Sequence, residues 1–156
     1  MIKGVHEAAY ATIEVAAASG GYQVFVGPSL LASVPAVVAT YAPARRLAVI
    51  SDDRVGPIHG ETVAEALRDA GHDITFLTFP EGEASKTRKF WSILTDQMLE
   101  AGLQRDCAVV AVGGGVTTDL AGFVAATFLR GVPVIQVPTT TLSMVDASVG
   151  GKTGVN

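Results

Sequence analysis

Four short apolar runs, separated by segments of a dozen or so residues with helical spacing, restrict this chain to very few folds. The runs are Leu47–Ser51, Ile74–Phe79, Cys107–Val112 and Val134–Val137. The first intervening segment, Pro57–Ala70, sets Val63, Ala64 and Leu67 on one face and has Gly71 just past its end. The second, Ser85–Ala101, places Phe90, Ile93, Leu94 and Met98 at core spacing and closes on Gly102. The third, Asp119–Arg130, turns Leu120, Phe123, Val124 and Phe128 toward a sheet, with Gly131 as cap. Such alternation predicts parallel βαβ units: an α/β, Rossmann-like sheet with flanking helices. Upstream, Thr12–Ala16 and Tyr22–Val26 read as a β-hairpin turning at Ser19-Gly20-Gly21. A helix from Ser29 to about Thr40 follows, disturbed at Pro35.

In parallel sheets of this kind the ligand lies across the carboxyl ends of the strands. That rule selects the loops Asp52–Val55, Pro80–Lys86, Gly113–Asp119 and Pro138–Asn156, which are also rich in Gly, Thr and Asp. Gly113-Gly114-Gly115 ends a strand, and the helix is read as opening on Thr118-Asp119. Bare glycines let an anion approach the backbone, and the helix N-terminus faces it with its dipole. The G-x-G-x-x-G spacing is absent, so the position of the glycines carries the reading; a tight packed turn is the structural alternative.

Composition removes several classes. A net charge of −4 and a pI near 5.2 argue against nucleic acid or an anionic membrane as partner. No charge occurs between Glu14 and Arg45, yet glycines and prolines divide that interval, and no window supplies the ~20 apolar residues of a spanning helix. The N-terminus lacks the layout of a signal peptide. Cys107, the single cysteine, reads as a reduced core residue in a cytoplasmic protein. With hydrophobic residues at 49% and a mean hydropathy of +0.40, the chain either awaits a covering domain or subunit, or is simply rich in alanine and valine.

Several polar groups fall on the ligand edge. Asp52 ends a strand where a carboxylate commonly accepts from a ribose diol, or else starts a turn. Glu81, Gly82, Glu83 and Lys86 precede a helix; Glu83 and Lys86 read equally as solvated charges. Asp119 compensates the helix dipole or touches a nucleotide. Thr139-Thr140-Thr141 sets hydroxyls beside the glycine loop, and Asp146 and Lys152 flank a second glycine-rich turn. A Walker lysine is rejected, since Asp146 stands where the first glycine of that motif belongs. His6, His59 and His72 form no metal-binding pair.

GGGVTTDLAGFVAATFLRG, IQVPTTTLSMVDASVGGKTGVN and the upstream PEGEASK resemble the 3-dehydroquinate synthase family. The resemblance implies an NAD-binding α/β domain over residues 1–156, whose helical metal-binding second domain lies beyond this chain. It implies NAD contacts at Asp52, Glu81, Gly82, Glu83, Lys86, Gly113, Gly114, Gly115, Val116, Thr117, Thr118, Asp119, Thr139, Thr140 and Lys152. Asp146 and Lys152 then serve catalysis, and they bind the sugar-phosphate substrate together with Asn156 and Arg130, the last reaching across a homodimer. The family pattern usually has glycine where this chain has Thr118, so a local helix cap is expected there.

The implied reaction is NAD- and metal-dependent cyclisation of 3-deoxy-D-arabino-heptulosonate 7-phosphate to 3-dehydroquinate with loss of phosphate, in the shikimate pathway. The divalent metal, zinc or cobalt, takes no ligand from these residues, so the chain alone is expected to be inactive. The rivals are another sugar-phosphate cyclase of the valiolone synthase type and an iron-type or glycerol dehydrogenase.

Overall fold

The computed structural model describes residues 11–16 and 20–156; Ser19, assigned to the hairpin turn, and His6 lie outside them. An antiparallel hairpin, β1 (Ala11–Val15) with β2 (Tyr22–Val26), forms its own two-stranded sheet. A 3-10 turn at Leu30–Ser33 leads into α1 (Val34–Tyr41). The main series then runs β3 (Arg46–Asp52), α2 (Glu61–Asp69), β4 (Asp73–Phe79), α3 (Arg88–Glu100), β5 (Ala108–Gly113), α4 (Gly115–Thr127) and β6 (Val134–Pro138). Strands three to six form one parallel sheet in the order β4-β3-β5-β6.

The two central strands are buried on both faces, which is why they read as continuous apolar runs. Their side chains alternate between two cores. Leu47 and Val49 of β3 and Ala108, Val110 and Val112 of β5 pack under α1 and α2, against Val38, Val63 and Leu67. Ala48, Ile50, Val109 and Ala111 pack under α3 and α4, against Leu94, Met98, Leu120, Val124 and Phe128. Cys107 is buried in this second core, and burial pushes its thiol above the usual range. Chain direction places the site. From β3 the chain steps outward to β4, then crosses back over β3 to β5. The carboxyl ends of β3 and β5 therefore flank the point where the winding reverses, where α/β sheets bind ligands. Among the described residues no helix is long and apolar enough to cross a membrane.

Several expected boundaries move, each for a local reason. Pro35 sits in the first turn of α1, where its missing N–H costs no bond, so it starts the helix instead of disturbing it. The Pro57–Ala70 helix is two pieces, a wide turn at Gly56–Gly60 and then α2. A Cβ on Gly60 would meet the Phe76 ring at 3.1 Å, so the chain there lies close against the sheet. The helix after Ser85 begins only at Arg88 and closes as anticipated: Gly102 takes φ +70° and Leu103 N–H reaches back to Met98 O at 3.0 Å. α4 begins at Gly115, four residues before the expected Asp119. It ends at Thr127, so Arg130 belongs to a separate turn in which Leu129 and Arg130 both take positive φ. Two residues placed in the core are not there. Ile93 is 36% exposed, and Phe123 meets Trp91 of α3 in a tilted contact with ring centroids 5.9 Å apart.

Leu94 and Ile93 are neighbours on α3 with opposite burial, so Leu94→Ala should lower unfolding stability by about 2–5 kcal/mol and Ile93→Ala by less than about 1. Urea denaturation of both variants measures this; equal losses would show that α3 packs in another orientation.

Candidate functional site

The site begins with Gly113, Gly114 and Gly115, each bare for a different reason. A Cβ on Gly113 would stand 2.3 Å from Thr117 Oγ1, because the Thr117 side chain folds back over it. From there Thr117 Oγ1 donates to Asp52 Oδ2 at 2.9 Å, joining the first turn of α4 to the end of β3. The other oxygen, Asp52 Oδ1, accepts the backbone N–H groups of Arg54 at 3.1 Å and Val55 at 2.8 Å, shaping the loop after β3. Gly114 is the N-cap of α4, and no side chain caps the helix. Its leading N–H groups, which have no intrahelical acceptor, are left open to a ligand. Gly115 faces Ala147 Cβ at 3.5 Å.

These groups line a cleft of about 390 Å³ between the loops after β3, β4 and β5. Its walls are Asp52, Arg54, Val55, Glu81, Gly82, Gly114, Gly115, Val116, Thr117 and Thr140. The volume is in the range of cofactor sites. The loop after β4 is tied in by Glu81 N–H, which donates to Asp53 Oδ1 at 2.8 Å, and by an Arg54–Glu81 ion pair at 3.2 Å. Beside Thr140, which lines the cleft, Ser143 is fully buried. Its hydroxyl and that of Thr140 lie 2.9 Å apart, and Ser143 Oγ also bonds Thr140 O at 2.9 Å.

The remaining expected residues divide into three groups. Lys86, Glu83, Asp119 and Asn156 form a second cluster. Lys86 Nζ lies 2.7 Å from Asp119 Oδ2 and 3.9 Å from Glu83 Oε1; Asn156 donates from Nδ2 to Glu83 Oε1 at 3.1 Å and from its backbone N–H to Lys86 O at 2.9 Å. Asp146 and Lys152 form an exposed pair at 3.3 Å on the loop after β6. That loop is seated by Gly150 N–H, which donates to the Tyr22 hydroxyl at 2.6 Å, and by Thr153, which packs where Gly122 has no side chain. Arg130 follows the C-terminal end of α4, at the opposite edge of the sheet from the cleft. Asp119 lies in the second turn of α4 and is engaged by Lys86, so it does not compensate the first turn. Thr118 does not cap the helix. It is buried within α4, its hydroxyl donates to Gly115 O at 3.0 Å, and its carbonyl accepts from Gln136 Nε2 at 3.1 Å.

Sequence reasoning passed over Arg54, Ser143, Gln136 and Tyr22. Arg54 was legible, being in a loop already placed on the ligand edge; the others carry no local pattern. Two buried polar atoms, Thr139 Oγ1 and Gln136 Oε1, have no partner among the described residues. Among those residues no three His, Cys, Asp or Glu side chains are arranged to hold a metal ion.

The hydrogen bond to Asp119, with the charges of Asp119 and Glu83, outweighs burial and raises the Lys86 pKa above its ordinary 10.5. A raised folded-state value adds stability below the unfolded value and loses it as pH climbs through the folded one. The stability gap between the native chain and Asp119→Asn should therefore hold from neutral pH to 10.5 and shrink above it. Denaturant melts across that range check this; a gap independent of pH would mean that Lys86 does not depend on Asp119.

Residues 76–156 match the family model described as the N-terminal part of 3-dehydroquinate synthase. The 3-dehydroquinate synthase of Symbiobacterium thermophilum is 48% identical over 136 residues, covering 86% of this chain and 38% of that protein. A crystal structure of 2-deoxy-scyllo-inosose synthase complexed with carbaglucose-6-phosphate, NAD+ and Co2+ superposes with a TM-score of 0.83 at 31% identity, covering 94% of this chain and 40% of that one. The 2-epi-5-epi-valiolone synthase of Streptomyces hygroscopicus, with NAD+ and Zn2+ bound, gives 0.76 at 32% identity over 91% and 39% of the two chains. The chain thus spans well under half the length of the relatives it matches, and over that span it belongs to the 3-dehydroquinate synthase family.

Proposed function

We propose that this chain is the NAD-binding part of a 3-dehydroquinate synthase. The whole protein would cyclise 3-deoxy-D-arabino-heptulosonate 7-phosphate to 3-dehydroquinate and release phosphate, as a lyase of the shikimate pathway in the cytoplasm. The observation that carries the reading is the uncapped N-terminus of α4. It opens from Gly114 into a cleft whose opposite wall is fixed by Asp52. Curated relatives bearing the synthase name are 40–50% identical, whereas the structures of cyclases with other substrates are 31–32% identical, which favours dehydroquinate synthase within the cyclases. The family match likewise disfavours a glycerol or iron-type dehydrogenase.

The residues present suit NAD. The cleft is concave and glycine-floored, and next to its Thr140 wall the buried Thr139 hydroxyl has no partner among the described residues. The N–H groups of Gly115 and Val116 would hold the diphosphate, with the dipole of α4 behind them. Glu81, Gly82 and the loop after Asp52 would border the adenosine ribose. Thr139, Thr140 and the Lys86–Asp119 pair would border the other end of the dinucleotide. When bound, NAD would supply a hydride acceptor that returns the hydride, so the overall reaction involves no net oxidation.

Asp146 and Lys152, paired on an exposed loop, would orient the substrate: the ammonium draws in its anionic groups and the carboxylate fixes the ammonium. Asn156 would join them. Arg130, remote from the cleft, fits a role at the substrate of a neighbouring subunit in a homodimer. The zinc or cobalt of the whole protein would take its ligands from outside this chain, and no step here is assigned to it.

Isothermal calorimetry should show NAD+ binding in the high-micromolar to millimolar range. Gly114→Val should weaken it at least about tenfold, because a Cβ there already meets Thr140 Cγ2 at 3.2 Å and the added methyls enter the cleft. Absence of binding by the native chain, or unchanged binding by the variant, would overturn the reading. In a phosphate-release assay with NAD+ and either metal, the chain alone should show no turnover, whereas turnover near that of an intact synthase would mean the catalytic centre lies within it.

A further inference from the structure

We propose that Gly122 is a positioning residue for the loop after β6. The gap it leaves in α4 seats Thr153 and, together with the Tyr22 hydroxyl, holds residues 150–156 as a strap that fixes where Lys152 stands. The proposal rests on the reading of Lys152 as a substrate-binding group. Glycine inside a helix is ordinarily unfavourable relative to alanine, so its place in α4 calls for a packing reason. A Cβ on Gly122 would overlap Thr153 Cγ2 and stand 3.1 Å from Gln136 Nε2. Neither neighbour yields easily. Gln136 Nε2 donates to the Thr118 carbonyl at 3.1 Å, and the threonine side chain, branched at Cβ, is stiff.

Thr153 is one of several fixed points along the strap. Gly150 N–H donates to the Tyr22 hydroxyl at 2.6 Å, Val155 packs against the core under α3 and α4, and Asn156 N–H reaches Lys86 O at 2.9 Å. The strap therefore runs from the hairpin, past α4, to the loop after β4.

Lys152 lies between the fixed points Gly150 and Thr153, while its own side chain is 75% exposed beside Asp146. A backbone held on both sides places the ammonium before a ligand arrives, which lowers the cost of ordering it on binding. Tyr22, Gly122 and Thr153 do not line the dinucleotide cleft, so loosening the strap separates substrate placement from NAD+ binding.

Backbone 15N order parameters test the strap in the native chain, in Gly122→Ala, and in Gly122→Ala with Thr153→Ser, which removes the overlapping methyl. Residues 150–155 should be rigid in the native chain, near about 0.85, should fall below about 0.6 in Gly122→Ala, and should recover in the double variant. Tyr22→Phe, which removes one hydrogen bond and leaves α4 intact, should loosen Gly150–Lys152 and keeps the test open if Gly122→Ala fails to fold. In the intact synthase, Gly122→Ala should lower kcat/KM for the sugar phosphate by about tenfold or more, with the NAD+ Kd moving less than about threefold and Thr153→Ser restoring kcat/KM. Unchanged order in both Gly122→Ala and Tyr22→Phe, a loss that Thr153→Ser does not repair, or a native kcat/KM in a loosened strap would each overturn the proposal. If Lys152→Ala also left kcat/KM at the native value, the reading of Lys152 as a substrate-binding group would fall instead.

Discussion

The hydrogen bond from Thr117 to Asp52 joins the two strand ends on which the cleft depends. It requires the missing side chain at Gly113, since any Cβ there would occupy the space of the Thr117 side chain. It places the first turn of α4 opposite the loop after β3, at the point where the sheet reverses its winding. Asp52 in turn gathers the N–H groups of Arg54 and Val55, so one carboxylate sets the shape of one loop and the position of the facing helix. The first turn of α4 can remain without a side-chain cap because its position is held from the side, by Thr117, and from below, by Gln136 on the Thr118 carbonyl.

Around that centre the polar groups are paired in layers. Glu81 with Arg54 borders the cleft on one side, Lys86 with Asp119 lies on another, and Asp146 with Lys152 stands on the most exposed loop. Burial separates their roles. Lys86 and Asp119 are 20% and 21% exposed, so their pair is shielded enough to fix geometry, while Lys152 and Asp146 are 75% and 61% exposed and free to rearrange around a ligand. The loop carrying the latter pair is anchored from two distant places, the Tyr22 hydroxyl of the hairpin and the gap at Gly122 in α4.

The strands were readable in the sequence because a sheet buried on both faces imposes a composition as well as a period. Val109, Val110, Ala111 and Val112 could hardly be anything else. Helix starts were less readable. Gly115-Val116-Thr117-Thr118 is poor in helix formers, yet α4 begins there because tertiary bonds, from the Thr117 hydroxyl to Asp52 and from Gln136 to the Thr118 carbonyl, hold the turn. Phe123 has core spacing but meets Trp91 instead, since two neighbouring helices leave an aromatic seam between them. Within the site, residue types pointed to loops that line the cleft but not to the partners each side chain takes. That Asp52 is committed to two backbone N–H groups and the Thr117 hydroxyl, that Glu81 pairs with Arg54, and that Arg130 lies at the far edge all follow from distances that no linear spacing encodes.

The central claim is that a dinucleotide lies in the cleft between β3 and β5, held by the start of α4. Titration of the 15N-labelled chain with NAD+, followed residue by residue in amide NMR spectra, tests it most directly. The largest shifts should fall on Val55, Gly82, Gly115, Val116 and Thr117, with little change in α1 or at Arg130. Shifts centred on the hairpin or on the turn after α4, with the Gly115–Thr117 amides unmoved, would contradict it.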